Sequence, residues 1–360
     1  MIRHISFITV ITTLLSLSAC NHQGTNEDSS SSLFPLKDYQ EVQAVQICPN
    51  IMIKAPYDML VIEKELLIAD YQKDSLLHVV NIDNLKDTYR IAPYGAGPHD
   101  FNTIVHLQYL DEDKLIAIYD RLASAMSYYQ IADNKVELDK NTFVKKDRVK
   151  TLFGNLIPFG DNYATDGVFD NKMFKITNTT SDTLETFGEY PGDTTGISNP
   201  TDFYIQKLYK SIISNPQKDR MASAAERSDW LVFYKIDSKG ILKLKEYFSY
   251  DCIADVKHLT VNNATATYSE PNERTIASYQ DLYATEQHLY ALYYGFPELD
   301  KDNPDNTCYI LQFDWEGNYQ KAYHLQEVIN RFAVDEQRNC IYATYTAKGE
   351  DPVLLKYEIK

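Results

Sequence analysis

The sequence predicts an all-β chain folded as a six-bladed β-propeller, and three observations predict it. Short runs rich in Val, Ile, Tyr and Phe, such as "DMLVIEKELLIAD", "KLIAIYD", "HLYALYYG" and "CYILQFDWEGN", are separated by Asp, Asn and Gly turns, and helical periodicity is rare. Strands closing on aspartate recur at Asp70, Asp120 and Asp166, in steps of 50 and 46 residues. The segment Tyr94-Gly95-Ala96-Gly97-Pro98-His99-Asp100 is echoed at Phe187-Gly188-Glu189-Tyr190-Pro191-Gly192-Asp193, two such steps later. A unit of this length holds about four short strands, the size of a propeller blade; six units fill the folded part of the chain, and seven shorter ones are the alternative.

Taken in order, residues 1–19 read as an export segment. Arg3 and His4 form a basic start, residues 5–19 carry no charge, and the apolar run is too short to span a bilayer comfortably. Leu17-Ser18-Ala19-Cys20 resembles the lipobox of bacterial lipoproteins, which implies a mature chain beginning at a lipidated Cys20. Residues 20–38 then form a tether: "NHQGTNEDSSSS" has no side chain able to bury enough apolar surface to order it. Residues 39–360 form the propeller, with units at about 55–92, 102–148, 151–187, 200–250, 274–325 and 330–360. Asp237-Ser238-Lys239-Gly240 and Asp314-Trp315-Glu316-Gly317 offer the chemistry of tight hairpin turns. The last unit has only three strands, and "EVQAVQI" at 41–47 belongs to no unit. Pairing of this N-terminal strand with 353–359 closes the ring and removes its exposed edge.

Composition narrows the function. The formal charge of -16 is spread over the chain without a basic block, which argues against nucleic-acid binding. Cys48, Cys252, Cys308 and Cys340 allow three disulfide pairings, lack zinc spacing and read as small core residues or one fortuitous pair; on the proposed closure the third strand of the last blade separates Cys48 from Cys340, which argues against a disulfide there. No metal or cofactor is expected. "DKDNPDN" at 300–306 departs from a calcium loop at its glycine and closing carboxylate, and reads as a solvated excursion. Within "QKDRMASAAERSDW" at 217–230 a polar strand pair is expected rather than a helix.

The glycine-rich stretch at 94–101 reads as an inter-blade link, not a phosphate loop, because Asp100 stands where a third glycine is needed and no Lys-Ser/Thr pair follows. Gly95 and Gly97 are expected to supply backbone angles closed to other residues, Pro98 to stiffen the exit and Phe101 to dock under the next blade. The lipobox, the six units and the Gly-x-Gly-Pro-x-x-Phe link together resemble the TolB-like six-bladed propeller lipoproteins of Gram-negative bacteria, with His99-Asp100-Phe101 where that family often has Gly-Glu-Phe. The resemblance implies a fold and an extracytoplasmic, envelope-anchored location, the outer membrane in preference to the inner, but no single chemistry.

Links and second-to-third-strand turns share one face, so Asp70, Tyr71, His99, Asp100, Asp120, Arg121 and Asp166 are expected to gather at an axial mouth as a ligand-binding rim. The competing account is that each aspartate caps backbone amides in its own turn. A cation among carboxylates, Arg121 or His99, suits an acidic sugar or a peptide carboxylate. The expected partners are the membrane, through the anchor, and a glycan, peptide or envelope protein. A hydrolase or lyase using rim carboxylates and a structural subunit of an envelope complex are the alternatives.

Overall fold

The structure, a computed structural model, describes residues 36, 38–49, 51–72, 74–86, 88–132, 135–150, 154–191, 210–248, 254–261 and 264–359. The chain divides into two compact units, Met1–Ser31 and Ser32–Lys360, and every described residue falls in the second. The expected export segment, Cys20 and most of the tether lie outside the described residues, as do Gly192, Asp193 and Cys252.

Two short strands come first, β1 (Tyr39–Val42) and β2 (Ala44–Ile47). Blade one is β3 (Pro56–Ile62), β4 (Glu65–Asp70), β5 (Ser75–Asn81) and β6 (Thr88–Pro93). Blade two is β7 (Ile104–Leu110), β8 (Leu115–Asp120), β9 (Ala125–Gln130) and β10 (Phe143–Arg148). Blade three follows as β11 (Leu156–Phe159), β12 (Asn162–Phe169), β13 (Lys172–Thr177) and β14 (Thr183–Glu189). Blade four is β15 (Lys210–Ser214), β16 (Arg220–Ala225), β17 (Leu231–Asp237) and β18 (Gly240–Tyr247). A separate hairpin, β19 (Ala254–Val261) and β20 (Ala264–Pro271), precedes blade five, which is β21 (Ile276–Ala284), β22 (His288–Pro297), β23 (Cys308–Asp314) and β24 (Tyr319–Leu325). Blade six holds β25 (Arg331–Asp335), β26 (Cys340–Tyr345) and β27 (Val353–Glu358).

The ring closes as the orphan strand requires, with a refinement. β2 completes blade six antiparallel to β27, from Ala44 opposite Tyr357 to Ile47 opposite Leu354. Glu41 and Val42 instead belong to β1, which runs parallel to β24 as a fifth strand of blade five. The exposed Gln43 separates the two strands, so one short segment clasps two neighbouring blades.

Apolar layers between consecutive sheets hold the blades together. Ile157, Phe174 and Met173 of blade three meet Met221, Trp230 and Val232 of blade four, while Phe233 of blade four packs on Phe313 of blade five with ring centroids 5.6 Å apart. Many tyrosine hydroxyls are bonded inside the protein. Tyr89 donates to Glu65 at 2.7 Å, Tyr357 to Glu327 at 3.1 Å, and Tyr128 to Tyr163 at 2.8 Å, which in turn donates to Asp147. A buried hydroxyl without a partner is costly, so these rings carry a fixed acceptor with them.

The turns behave as their residues dictate. Asp237 pairs with Gly240 across a two-residue hairpin, with φ 116° at the glycine, and Gly317 turns at φ 83° as its N–H donates to the Asp314 carbonyl. The stretch 220–225 is one buried strand, β16, not a polar pair, because it lies second in its blade and is covered on both faces. Residues 300–306 form a turn after the short 3₁₀ segment Glu298–Asp300, with the Asn306 side chain donating to the Asp300 carbonyl at 2.7 Å. Cys308 and Cys340 are buried and free, and Cys48 is exposed and free; burial pushes the Cys308 thiol up to about 12.

The 94–101 link joins blades one and two, but its glycines serve space and not angle, since neither Gly95 nor Gly97 has positive φ. The Asp100 carboxylate folds back to accept the Gly97 N–H at 2.7 Å, and a Cβ on either glycine would collide with that carboxylate. Tyr94 and Phe101 bridge the two ends of the loop, and the fully buried Phe101 docks against Tyr129 with the Lys146 ammonium 5.6 Å above its ring.

Candidate binding site at the axial mouth

Inner strands start at the link face, so their first residues ring one mouth of the central channel. Three of the expected rim aspartates have a common task there. Asp70 accepts the Ala55 N–H at 2.6 Å and the Lys54 N–H at 3.1 Å; Asp120 accepts Asn102 N–H at 2.7 Å, Thr103 N–H at 3.2 Å and Ala123 N–H at 3.0 Å; Asp166 accepts Asn155 N–H at 2.7 Å. Asp70 and Asp120 close the second strand of their blades and Asp166 lies within its own, and each carboxylate latches the link entering the first strand of its blade. These latches are buried, and Asp70 also holds the Nε2 of buried His78 at 3.1 Å. The surrounding donors outweigh the burial that opposes them and hold the Asp70 carboxyl below the usual range.

His99 and Asp100 sit away from the channel. The His99 ring packs edge-on to Phe143 of the outer strand of blade two, 5.0 Å between centroids, and Asp100 caps its own loop. The reason is radial: a link begins at the outer edge of one blade, so its first half lies at the rim of the disc. Tyr71 is half exposed beside the Asp70 latch. Of the seven expected residues, Arg121 and Asp166 line the axial cavity, which has a volume of about 220 Å³.

The rest of that cavity comes from residues the sequence reading did not single out. Arg331, first in β25, donates from Nε to the Tyr57 carbonyl at 2.7 Å and from Nη1 to the Asn330 carbonyl at 2.8 Å. Among the described residues no carboxylate oxygen lies within 4.0 Å of its nitrogens, and Nη2 makes no hydrogen bond. Glu226, just past β16, and Asp281, within β21, line the same space. Burial pushes each carboxyl up to about 7 against the pull of Arg331, with Asp58 adding to the rise at Asp281 and Glu298 at Glu226. Asp58 is already engaged, accepting the Leu107 N–H at 2.6 Å and facing the Nδ1 of His106 at 3.3 Å. The Nε2 of His106, 9% exposed, is buried and has no hydrogen-bond partner. Among the described residues no three His, Cys, Asp or Glu side chains converge to hold a metal ion.

Below this mouth the channel narrows. Gln108 of blade two reaches Ser214 Oγ at 2.8 Å and the Asn215 carbonyl at 3.1 Å, and only a void of about 20 Å³ remains beside it. A larger space of about 610 Å³ opens at the opposite mouth, but its central polar groups satisfy one another: Glu336 meets His288 Nδ1 at 2.6 Å and accepts from Tyr290 at 2.8 Å. The link-face mouth, by contrast, presents a guanidinium with bonding capacity left over.

No curated protein matches the chain. Among solved structures, one described as an exported protein from Bacteroides fragilis NCTC 9343 is 14% identical, covers 89% of this chain and 95% of its own, and superposes with a TM-score of 0.50, which shows the same fold. A member of the DUF4221 family from Bacteroides vulgatus ATCC 8482 is 12% identical over 89% of this chain and 99% of its own, with a TM-score of 0.48. Residues 35–337 match the family described as TolB-like 6-blade propeller-like. With six sheets in a ring and that match across most of its length, the chain belongs to the TolB-like six-bladed propeller family.

Proposed function

We propose that the protein is a lipid-anchored extracytoplasmic binding module that takes a glycan, peptide or envelope protein at the link-face mouth and catalyses nothing. The observation that carries the binding reading is Arg331: a half-buried cation fixed by two backbone carbonyls, lining a polar axial cavity and with one nitrogen unbonded among the described residues. Arg121, held by Asn155 at 2.8 Å, stands at the edge of the same space. The Leu17 to Cys20 sequence and the exported relative support the anchor and the location. Palmitate labelling of the full chain in a Gram-negative host tests the anchor: label in the membrane fraction is expected, and Cys20→Ala is expected to remove it. Titration against a panel of glycans and peptides tests the site: saturable binding that Arg331→Gln abolishes supports it, and binding unaffected by this change removes the mouth from consideration.

A hydrolytic reading has one observation in its favour, since Glu226 and Asp281 present two carboxyls poised near neutrality on one cavity. Turnover of a polysaccharide panel with a bell-shaped pH profile, lost in both Glu226→Gln and Asp281→Asn, would establish it over the binding reading.

A further inference from the structure

We propose that Arg331 captures the carboxylate of a uronic acid sugar, whose ring lies against Tyr57 beside the Glu226 and Asp281 carboxyls. The inference rests on the binding reading above and names its ligand class.

The geometry leads to an anion first. A guanidinium has five N–H donors in a planar fork, and here the two used go to carbonyl groups, which leave its charge uncompensated. Three acids are near enough to influence it electrically, yet none forms an ion pair with it among the described residues. The space between guanidinium and acids therefore suits a group that accepts from Arg331 on one side and from protonated carboxyls on the other. A carboxylate does both.

The walls favour a sugar as its bearer. Tyr57, whose carbonyl anchors Arg331, is 43% exposed at the mouth and offers an aromatic face. Asn155 and Gln280 supply amides beside the guanidinium and the two carboxyls, so both donors and acceptors are at hand for a ring of hydroxyls. A volume of about 220 Å³ is too small for a folded partner and leaves the remainder of an oligomer in the open mouth.

The acids make capture depend on pH. Glu226 faces Arg331, Arg227 and Glu298, and Asp281 faces Arg331 and Asp58; His106, Asp166, Arg121 and Tyr57 complete the titratable lining. With both carboxyls poised near 7, they are neutral in mild acid and leave the cation with Asp58 as its other acidic neighbour. As pH rises through 7 they ionise, compete for Arg331 and repel the ligand. Binding below 7 must then be accompanied by proton uptake whenever a carboxyl that was ionised becomes neutral.

Calorimetric titration of the full chain with a galacturonate trimer at about pH 6 and pH 8 tests this, since linkage predicts an affinity lower by about tenfold or more at the higher pH. The methyl ester of the trimer, which has the same rings without charge, is expected not to bind. The double variant Glu226→Gln with Asp281→Asn, neutral at every pH, is expected to bind equally at both. Arg331→Gln is expected to abolish binding, and Arg331→Lys, which keeps the charge and loses the fork, to weaken it; circular dichroism checks that both are folded. Equal affinity for trimer and ester, or no change between the two pH values, overturns the uronate proposal while leaving a glycan module. Binding of an acetylated dipeptide acid in place of the trimer overturns the sugar assignment. Absence of binding by the trimer overturns the proposal, and absence of binding by every member of the panel overturns the module reading as well.

Discussion

The acids of blades one to three and those of blades four to six are put to different uses. In the first half, Asp70 and Asp120 end the second strand, Asp166 lies within it, and all three grip the amides of the incoming link. In blade four the residue after the last pair of the second strand is Glu226, topologically the counterpart of Asp166, and it lines the axial cavity. Blades five and six contribute Asp281 and Arg331 to that cavity. The repeat thus supplies a latch in one half of the ring, and departure from the repeat supplies chemistry in the other. A carboxylate committed to two or three backbone N–H groups has little capacity left for a ligand; one raised toward neutrality by burial still has its proton to offer.

The contrast is broken most directly by truncating one acid from each half. Asp120→Ala leaves three backbone N–H groups without their acceptor and is expected to cost about 3 kcal/mol in urea unfolding. Glu226→Ala is expected to cost under about 1 kcal/mol, because it removes a carboxyl that burial already disfavours. Equal losses would mean that both are latches.

Acid titration sharpens the same point. The folded pKa of Asp281 lies above its unfolded value, so its contribution is most favourable below about 4 and is lost as pH rises through about 7. Asp281→Asn should therefore gain about 1–2 kcal/mol relative to the parent chain on going from acid to about pH 8, after allowance for partial exposure. Asp70, whose folded pKa is depressed, has the opposite sign: its stabilisation is present above the unfolded value and lost as pH falls through the folded one. Asp70→Asn should flatten the acid limb of the stability curve, and a parallel response of the two variants would contradict the division. The smallest effect is expected at the link itself, where Gly97→Ala places a Cβ 2.7 Å from Asp100 Oδ2 and should cost about 1 kcal/mol by displacing that cap.

The architecture was legible because it is written locally and repeatedly. Aspartate spacing located the latches, turn residues located the hairpins, and an alternating segment without a home located the closure. The hairpin β19–β20 escaped because it lies between repeats and carries no period of its own. The site was less legible for a geometric reason: Asp281, Glu226 and Arg331 are scattered over a hundred residues and become neighbours only when inner strands converge on an axis. One signal was nevertheless present. The inner strands of blades one, two, three and five begin with Pro56, Ile104, Leu156 and Ile276, whereas blade four begins with Lys210 and blade six with Arg331, two charges at a position otherwise held by apolar residues. His99 misled because a link spans the full radius of the disc, and sharing a face does not bring two residues to the same radius.

The clasp formed by β1 and β2 has a consequence for biogenesis. Residues 39–47 are made early, whereas the strands they join, β24 and β27, are among the last to be synthesised. Until those arrive, the growing array has hydrogen-bonding backbone exposed at its open side and cannot complete its circle. Synthesis from the N-terminal side would therefore yield a crescent before a disc, and the interval between the two is when this protein most needs protection from intermolecular strand exchange.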